Sequence, residues 1–170
     1  LNIFINSILE HRYGNVWIGT NEGLFVYEGN SFIHFTEQDG LLNDQIWSVV
    51  EDKDGLIWVG SMGGVSIYNG VSFSHLTEEE GLTSNRIWSM LMDRIGRIWI
   101  GTDLGLNVFD DGAIFQISES DGLVNNVVRT IQEDSYGNLW FGTHGGVSMY
   151  DGKSLMHITE NEGLSGNEIR

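Results

Sequence analysis

Four copies of one 41-residue unit follow each other along the chain, and this repetition limits the fold more than any other feature. Gly14, Gly55, Gly96 and Gly137 are spaced by that period, as are Trp17, Trp58, Trp99 and Trp140. So are Gly19, Gly60, Gly101 and Gly142, and then Gly23, Gly64, Gly105 and Gly146. The Glu37, Gly40 and Leu41 positions repeat as Glu78, Gly81 and Leu82, as Glu119, Gly122 and Leu123, and as Glu160, Gly163 and Leu164. Seven positions are thus identical in all four copies, and the periods fill all but six of the 170 residues. The third copy carries one slip, where Asp110-Asp111-Gly112 stands against the expected two-residue Glu28-Gly29 turn.

Within one copy the pattern is that of short strands. In the second, the apolar run Ile46 to Glu51 leads into the Asp52-Lys53-Asp54-Gly55 turn, and Ile57 to Gly60 is β-branched and aromatic. Ser61 to Gly64 turns again, Val65 to Tyr68 alternates with period two, and Asn69-Gly70 signals a hairpin before Ser72 to Leu76. A longer polar loop from Glu78 to Asn85 joins the next copy. Each copy therefore predicts four antiparallel strands, A to D, and the chain almost no helix. One small four-stranded sheet cannot bury both its faces, and four-strand repeats of this length are what a β-propeller blade requires. The expected class is all-β: four blades at about 5–40, 46–81, 87–122 and 128–163, with 164–170 starting a further blade, within one propeller segment 1–170 read as part of a larger ring, the alternatives being a closed four-bladed ring, an eight-bladed ring of two chains and an open half-propeller held by partners. The four repeated Trp are expected in the core between blades. Gly19, Gly60, Gly101 and Gly142 should flank the B–C turns as structural residues.

Composition narrows the function. The net charge of −16 repels phosphate backbones and anionic lipid surfaces, so neither nucleic acid nor a membrane is an expected partner. There is no Cys, which removes disulfides, thiolate zinc sites and a Cys nucleophile. No apolar run suits a transmembrane helix and no signal peptide is visible. The first residue is Leu rather than Met, as expected of a piece of a longer protein.

Positions identical in every copy carry the fold, and function is expected where copies differ on the surface. The residue entering strand A is Asn6, Trp47, Trp88, Arg129 and then Arg170. The B–C turns supply Asn21, Glu22, Met62, Asp103, Leu104 and His144 and share one rim with the D–A loops. Trp47 and Trp88 could stack on sugar faces and Arg129 could bind hydroxyls or a carboxylate, unless the two Trp simply fill space between inner strands. Glu37, Asp39, Glu78, Glu80, Glu119, Asp121, Glu160 and Glu162 read as a solvated acidic face rather than a paired catalytic set or a calcium loop. Asp52, Asp93 and Asp134 are expected to cap their turns. His34, His75 and His157 share one repeat position on the outermost strand, too far apart for a common metal. No catalytic residue, metal or cofactor is expected.

The string Asp52 to Ser61 with Gly64-Val65 and Tyr68-Asn69-Gly70, preceded by Gly40-Leu41 and Ile46 to Ser48, resembles the two-component regulator propeller repeat. The third copy matches through Gly81-Leu82, Ile87 to Ser89 and Asp93 to Thr102, and the fourth through Gly122-Leu123 and Asp134 to Thr143. The first departs, with His11 at the Asp position. The resemblance implies the periplasmic or extracytoplasmic sensor part of a bacterial hybrid histidine kinase, binding a small-molecule or glycan ligand or organising a dimer. The alternative is a scaffold or dimerisation module without a ligand, completed by further blades in cis or by a second copy. A propeller lyase or hydrolase is a third reading.

Overall fold

The computed structural model describes residues 2–169. Its sixteen strands form four antiparallel sheets, each joined in simple sequence order. The first holds β1 (Ile5–Glu10), β2 (Val16–Thr20), β3 (Gly23–Tyr27) and β4 (Phe32–Phe35). The second holds β5 (Ile46–Glu51), β6 (Ile57–Ser61), β7 (Gly64–Tyr68) and β8 (Phe73–Leu76). The third holds β9 (Ile87–Met92), β10 (Ile98–Thr102), β11 (Leu106–Asp110) and β12 (Ala113–Ile117). The fourth holds β13 (Val128–Glu133), β14 (Leu139–Thr143), β15 (Gly146–Tyr150) and β16 (Leu155–Ile158). No helix among the described residues is long and apolar enough to cross a membrane.

The chain divides into two compact units, Leu1–Gly81 with Asn85–Ile87 and Leu82–Ser84 with Trp88–Arg170. In the first, Trp17, Leu24 and Val26 of one sheet bury against Ile46, Val49, Ile57 and Val59 of the next. Leu24, Ile46 and Val59 are fully buried, each contributing about 1.5–3 kcal/mol by leaving water. The Trp17 ring lies 5.7 Å from Tyr68 and 6.4 Å from Phe35. Gly19 is required by this approach, because a Cβ there would stand 2.7 Å from Cγ2 of Ile46. In the second unit Trp99, Leu106 and Val108 bury against Val128, Ile131, Leu139 and Phe141, with Trp99 and Phe141 rings 5.5 Å apart.

Two local expectations change. Each D–A loop contains a one-turn 3-10 helix, at Glu37–Asp39, Glu78–Glu80, Glu119–Asp121 and Glu160–Glu162. The cause is a capping box, Thr or Ser followed three residues later by Asp or Glu. The side chains of Asp39, Glu80, Asp121 and Glu162 accept from the backbone N–H of Thr36, Thr77, Ser118 and Thr159 at 2.8–2.9 Å. The C–D connections differ as well. Four residues, Glu28 to Ser31 and Asn69 to Ser72, link the strands where a two-residue hairpin was expected, and the Asn69 side chain accepts from Val71 and Ser72. The third copy does have a two-residue turn, with Asp111 and Gly112 both at positive φ (47° and 85°). Its slip therefore changes the turn type without changing the repeat length.

Candidate functional site

In the first, second and fourth sheets the residue entering the inner strand is an extra residue in the ladder. Ile5 pairs with Thr20 and Ser7 with Gly19, so Asn6 has no opposite partner. The same shift leaves Trp47 over in the second sheet and Arg129 over in the fourth. A β-bulge re-aims the side chain it carries, so the position that varies among copies is also the one the backbone turns out of register. The Asn6 amide donates to the Ile46 carbonyl at 2.8 Å. Trp47 is half-buried. In the second unit the Arg129 guanidinium sits 3.7 Å over the Trp88 ring, a cation–π contact that occupies one face of the indole. Arg170 lies outside the described residues.

The B–C turns are built on a hydroxyl. Thr20, Ser61, Thr102 and Thr143 donate to the carbonyls of Gly23, Gly64, Gly105 and Gly146 at 2.7–3.0 Å. The residues this presents fare differently. Asn21 is taken up by the chain before β1, accepting from Phe4 N–H at 2.6 Å and donating to the Asn2 carbonyl at 3.3 Å. Glu22, Met62 and Asp103 are half-buried, whereas His144 is exposed. Of the expected ligand contacts, the structure shows Trp88 and Arg129 in contact within the second unit. On the D–A loops Asp39, Glu80, Asp121 and Glu162 are exposed and also serve their capping boxes. Hydrogen bonds from Thr77 hold the Glu80 carboxyl, and those from Ser118 the Asp121 carboxyl, below their ordinary values. Among the described residues no group of three or more His, Asp or Glu could hold a metal ion. His34 and His75 instead contact the Glu22 and Gly40 carbonyls at 2.7 and 2.8 Å.

At the opposite rim, Asp52 and its counterparts do more than cap. Asp52 Oδ1 accepts from the amides of Asp54 and Leu56, and its Oδ2 accepts from the Trp58 indole at 2.9 Å. Asp93 does the same for Ile95, Arg97 and Trp99. Burial opposes its charge, but the Trp99 and Arg97 hydrogen bonds outweigh it and lower the Asp93 pKa. Asp134 falls to about 2, chiefly through the Trp140 indole. Each unit also carries an arginine brace that sequence reading missed. Arg12 pairs with Glu51 and donates to the Asp52 carbonyl at 2.7 Å. Arg94 pairs with Glu133 at 2.6 Å and donates to the Asp134 carbonyl at 2.6 Å. The recurrence of Arg12 and Arg94 at one repeat position was the available signal.

Also on this rim, in the first unit, is a cavity of about 350 Å³ lined by His11, Tyr13, Asn15, Trp17, Glu28 and Asn69 among others. A shallower hollow of about 240 Å³ lies among Ile3, Ile5, Ile18, Thr20, Phe25 and Phe32.

A sequence profile described as two component regulator propeller matches residues 1–22, 40–63, 81–103 and 122–145. Among solved structures, the chain is similar to the extracellular domain assigned to the hybrid two component system BT3049 of B. thetaiotaomicron, at 28% identity and a TM-score of 0.88. That match covers 95% of this chain and 24% of the other, so the chain spans about a quarter of that domain's length. PorZ, a surface component of the type-IX secretion system of Porphyromonas gingivalis, is 18% identical, with a TM-score of 0.69 over 96% of this chain and 28% of its own. Virginiamycin B lyase from Staphylococcus aureus is 14% identical, with a TM-score of 0.71 over 94% of this chain and 57% of its own. At these identities the last two show the fold alone. No curated protein matches the sequence.

Proposed function

Because the chain belongs to the two component regulator propeller family, its four sheets being propeller blades, we propose that it is a non-catalytic binding module of the extracytoplasmic sensory part of a bacterial two-component signalling protein. The observation that carries this reading is the likeness to the BT3049 extracellular domain. The occupant is a small ligand, a glycan fragment above all, received on the rim of B–C turns and D–A loops. Three features support that rim: a bulged residue in the first, second and fourth blades, its variation from Asn6 to Trp47 to Arg129, and the Trp88–Arg129 pair. An indole braced by a guanidinium offers a flat apolar surface and fixed donors, a combination suited to a sugar ring and its hydroxyls or carboxylate. Ile169, whose Cγ2 lies 2.7 Å from where a Gly142 Cβ would be, supports reading 164–170 as the start of a further blade, since Ile46 meets Gly19 in the same way. Calorimetric titration with a panel of neutral and uronate oligosaccharides tests the proposal. Trp88→Ala and Arg129→Ala, both within the second unit, should each weaken a binder at least tenfold. Unchanged affinity rejects the rim assignment.

The apolar outer face of the first sheet favours a second reading, a scaffold without a ligand. Ile5, Ile8 and Phe32 are 59%, 65% and 62% exposed, while Ile46 and Val49, the counterparts of Ile5 and Ile8 in the next blade, are buried. A further blade in cis or a second copy would cover that face. Light scattering of the chain at rising concentration decides, with a stable dimer supporting self-association.

A further inference from the structure

The first and fourth copies carry nearly the same turn, His11-Arg12-Tyr13-Gly14-Asn15-Val16-Trp17 against Asp134-Ser135-Tyr136-Gly137-Asn138-Leu139-Trp140. In the fourth, four donors converge on the Asp134 carboxylate: the amides of Tyr136 and Asn138, the Asn138 side chain and the Trp140 indole, each at 2.9 Å. In the first copy the same donor types are present and the carboxylate is missing. The His11 ring replaces it poorly: its Nδ1 accepts from the Tyr13 amide at 3.4 Å, and its Nε2 faces Glu51 Oε1 at 3.7 Å. The Asn15 side chain turns instead to Glu28 at 3.2 Å. The Trp17 indole N–H has no hydrogen-bond partner, although Trp17 is only 6% exposed. His11, Asn15 and Trp17 all line the 350 Å³ cavity, which is large enough for a small organic molecule.

We propose that this cavity binds the carboxylate group of a small ligand, which supplies to Trp17 Nε1 and the neighbouring turn the acceptor that Asp52, Asp93 and Asp134 supply in the other copies. The donors are already placed by the turn, so the ligand orders little on binding. Trp17 lies in the core between the first two sheets, which ties occupancy of the cavity to the packing of that unit. This site lies on the rim opposite the B–C turns and does not depend on the sensing reading above.

Acetate is the probe. The full chain is labelled with ¹⁵N, and the Trp17 indole N–H resonance is identified by its loss in Trp17→Phe. Acetate titrated at constant ionic strength should move that resonance downfield, saturably, and leave the Trp58, Trp99 and Trp140 indoles in place. His11→Asp should itself produce the downfield position, raise the melting temperature and weaken the acetate response at least tenfold. No acetate-dependent shift of the Trp17 resonance, or an equal shift in His11→Asp, overturns the proposal. A shift with glycerol but not with acetate also overturns it, assigning the cavity to neutral hydroxyls instead.

Discussion

The turn after β1 and the turn after β13 have almost one sequence, yet only the second closes its hydrogen bonds. Both have Tyr and Asn at matching places and end on a buried or half-buried Trp. Of the three residues that differ between them, the one placed to accept these hydrogen bonds is His11 against Asp134. A buried donor left without an acceptor costs about 1–3 kcal/mol, more than most paired hydrogen bonds contribute net. A single substitution within a repeat can thus turn a structural position into an unmet hydrogen-bonding demand. The most direct way to test this is to take the carboxylate away elsewhere. Asp93→Ala strands the Trp99 indole, two amides and Arg97 in a nearly buried position. It should destabilise by about 3 kcal/mol in a urea melt. A loss below about 1 kcal/mol would mean that the indole–carboxylate contact matters little, and the contrast between the two turns would lose its force.

A smaller effect sharpens the same contrast. Trp58→Phe removes an N–H that Asp52 accepts, whereas Trp17→Phe removes one that has no acceptor. The two substitutions lose similar aromatic surface. Trp58→Phe should therefore cost about 1.5 kcal/mol more than Trp17→Phe. Equal costs would show that Trp17 already has an equivalent partner in solution.

Adding the carboxylate gives the next effect, and one with a pH signature. His11→Asp should stabilise at neutral pH by about 1 kcal/mol. By analogy with Asp134, held at about 2 against the ordinary 3.8, the new carboxyl should titrate low when folded. A depressed carboxyl stabilises fully above its unfolded value and progressively less as pH falls towards its folded one. The melting-temperature advantage of His11→Asp should therefore persist down to about pH 4 and vanish near pH 2. An advantage independent of pH would point to removal of the imidazole rather than gain of the carboxylate.

How much of this was legible in the sequence depends on what each residue's partner is. The 41-residue period fixed the number of sheets, their strand order and the Trp core, because glycine and tryptophan at constant spacing leave few alternatives. The departure at His11 was visible too. Its consequence was not, since the Asp-to-indole bond joins residues six apart around a turn whose geometry no pattern announces. The bulges at Asn6, Trp47 and Arg129 were also invisible, because an extra ladder residue leaves the repeat length unchanged. The Thr36-to-Asp39 capping box, by contrast, could have been read directly from its Thr-x-x-Asp spacing.

The third copy supplies the smallest effect and the control for the whole comparison. Its C–D turn also departs from its siblings, replacing a four-residue connection by Asp111-Gly112. Here the change of sequence brings its own solution: both central residues take positive φ, and an Asp tolerates that region better than most residues. Asp111→Gly should accordingly alter stability by less than about 0.5 kcal/mol, the relief at φ 47° being offset by greater freedom in the unfolded chain. Departure from the repeat is then not costly in itself. It becomes costly, and open to a ligand, where it removes an acceptor from a buried donor, as at His11. A large response to Asp111→Gly would instead make any break in the repeat destabilising, and the singular standing of the first turn would disappear.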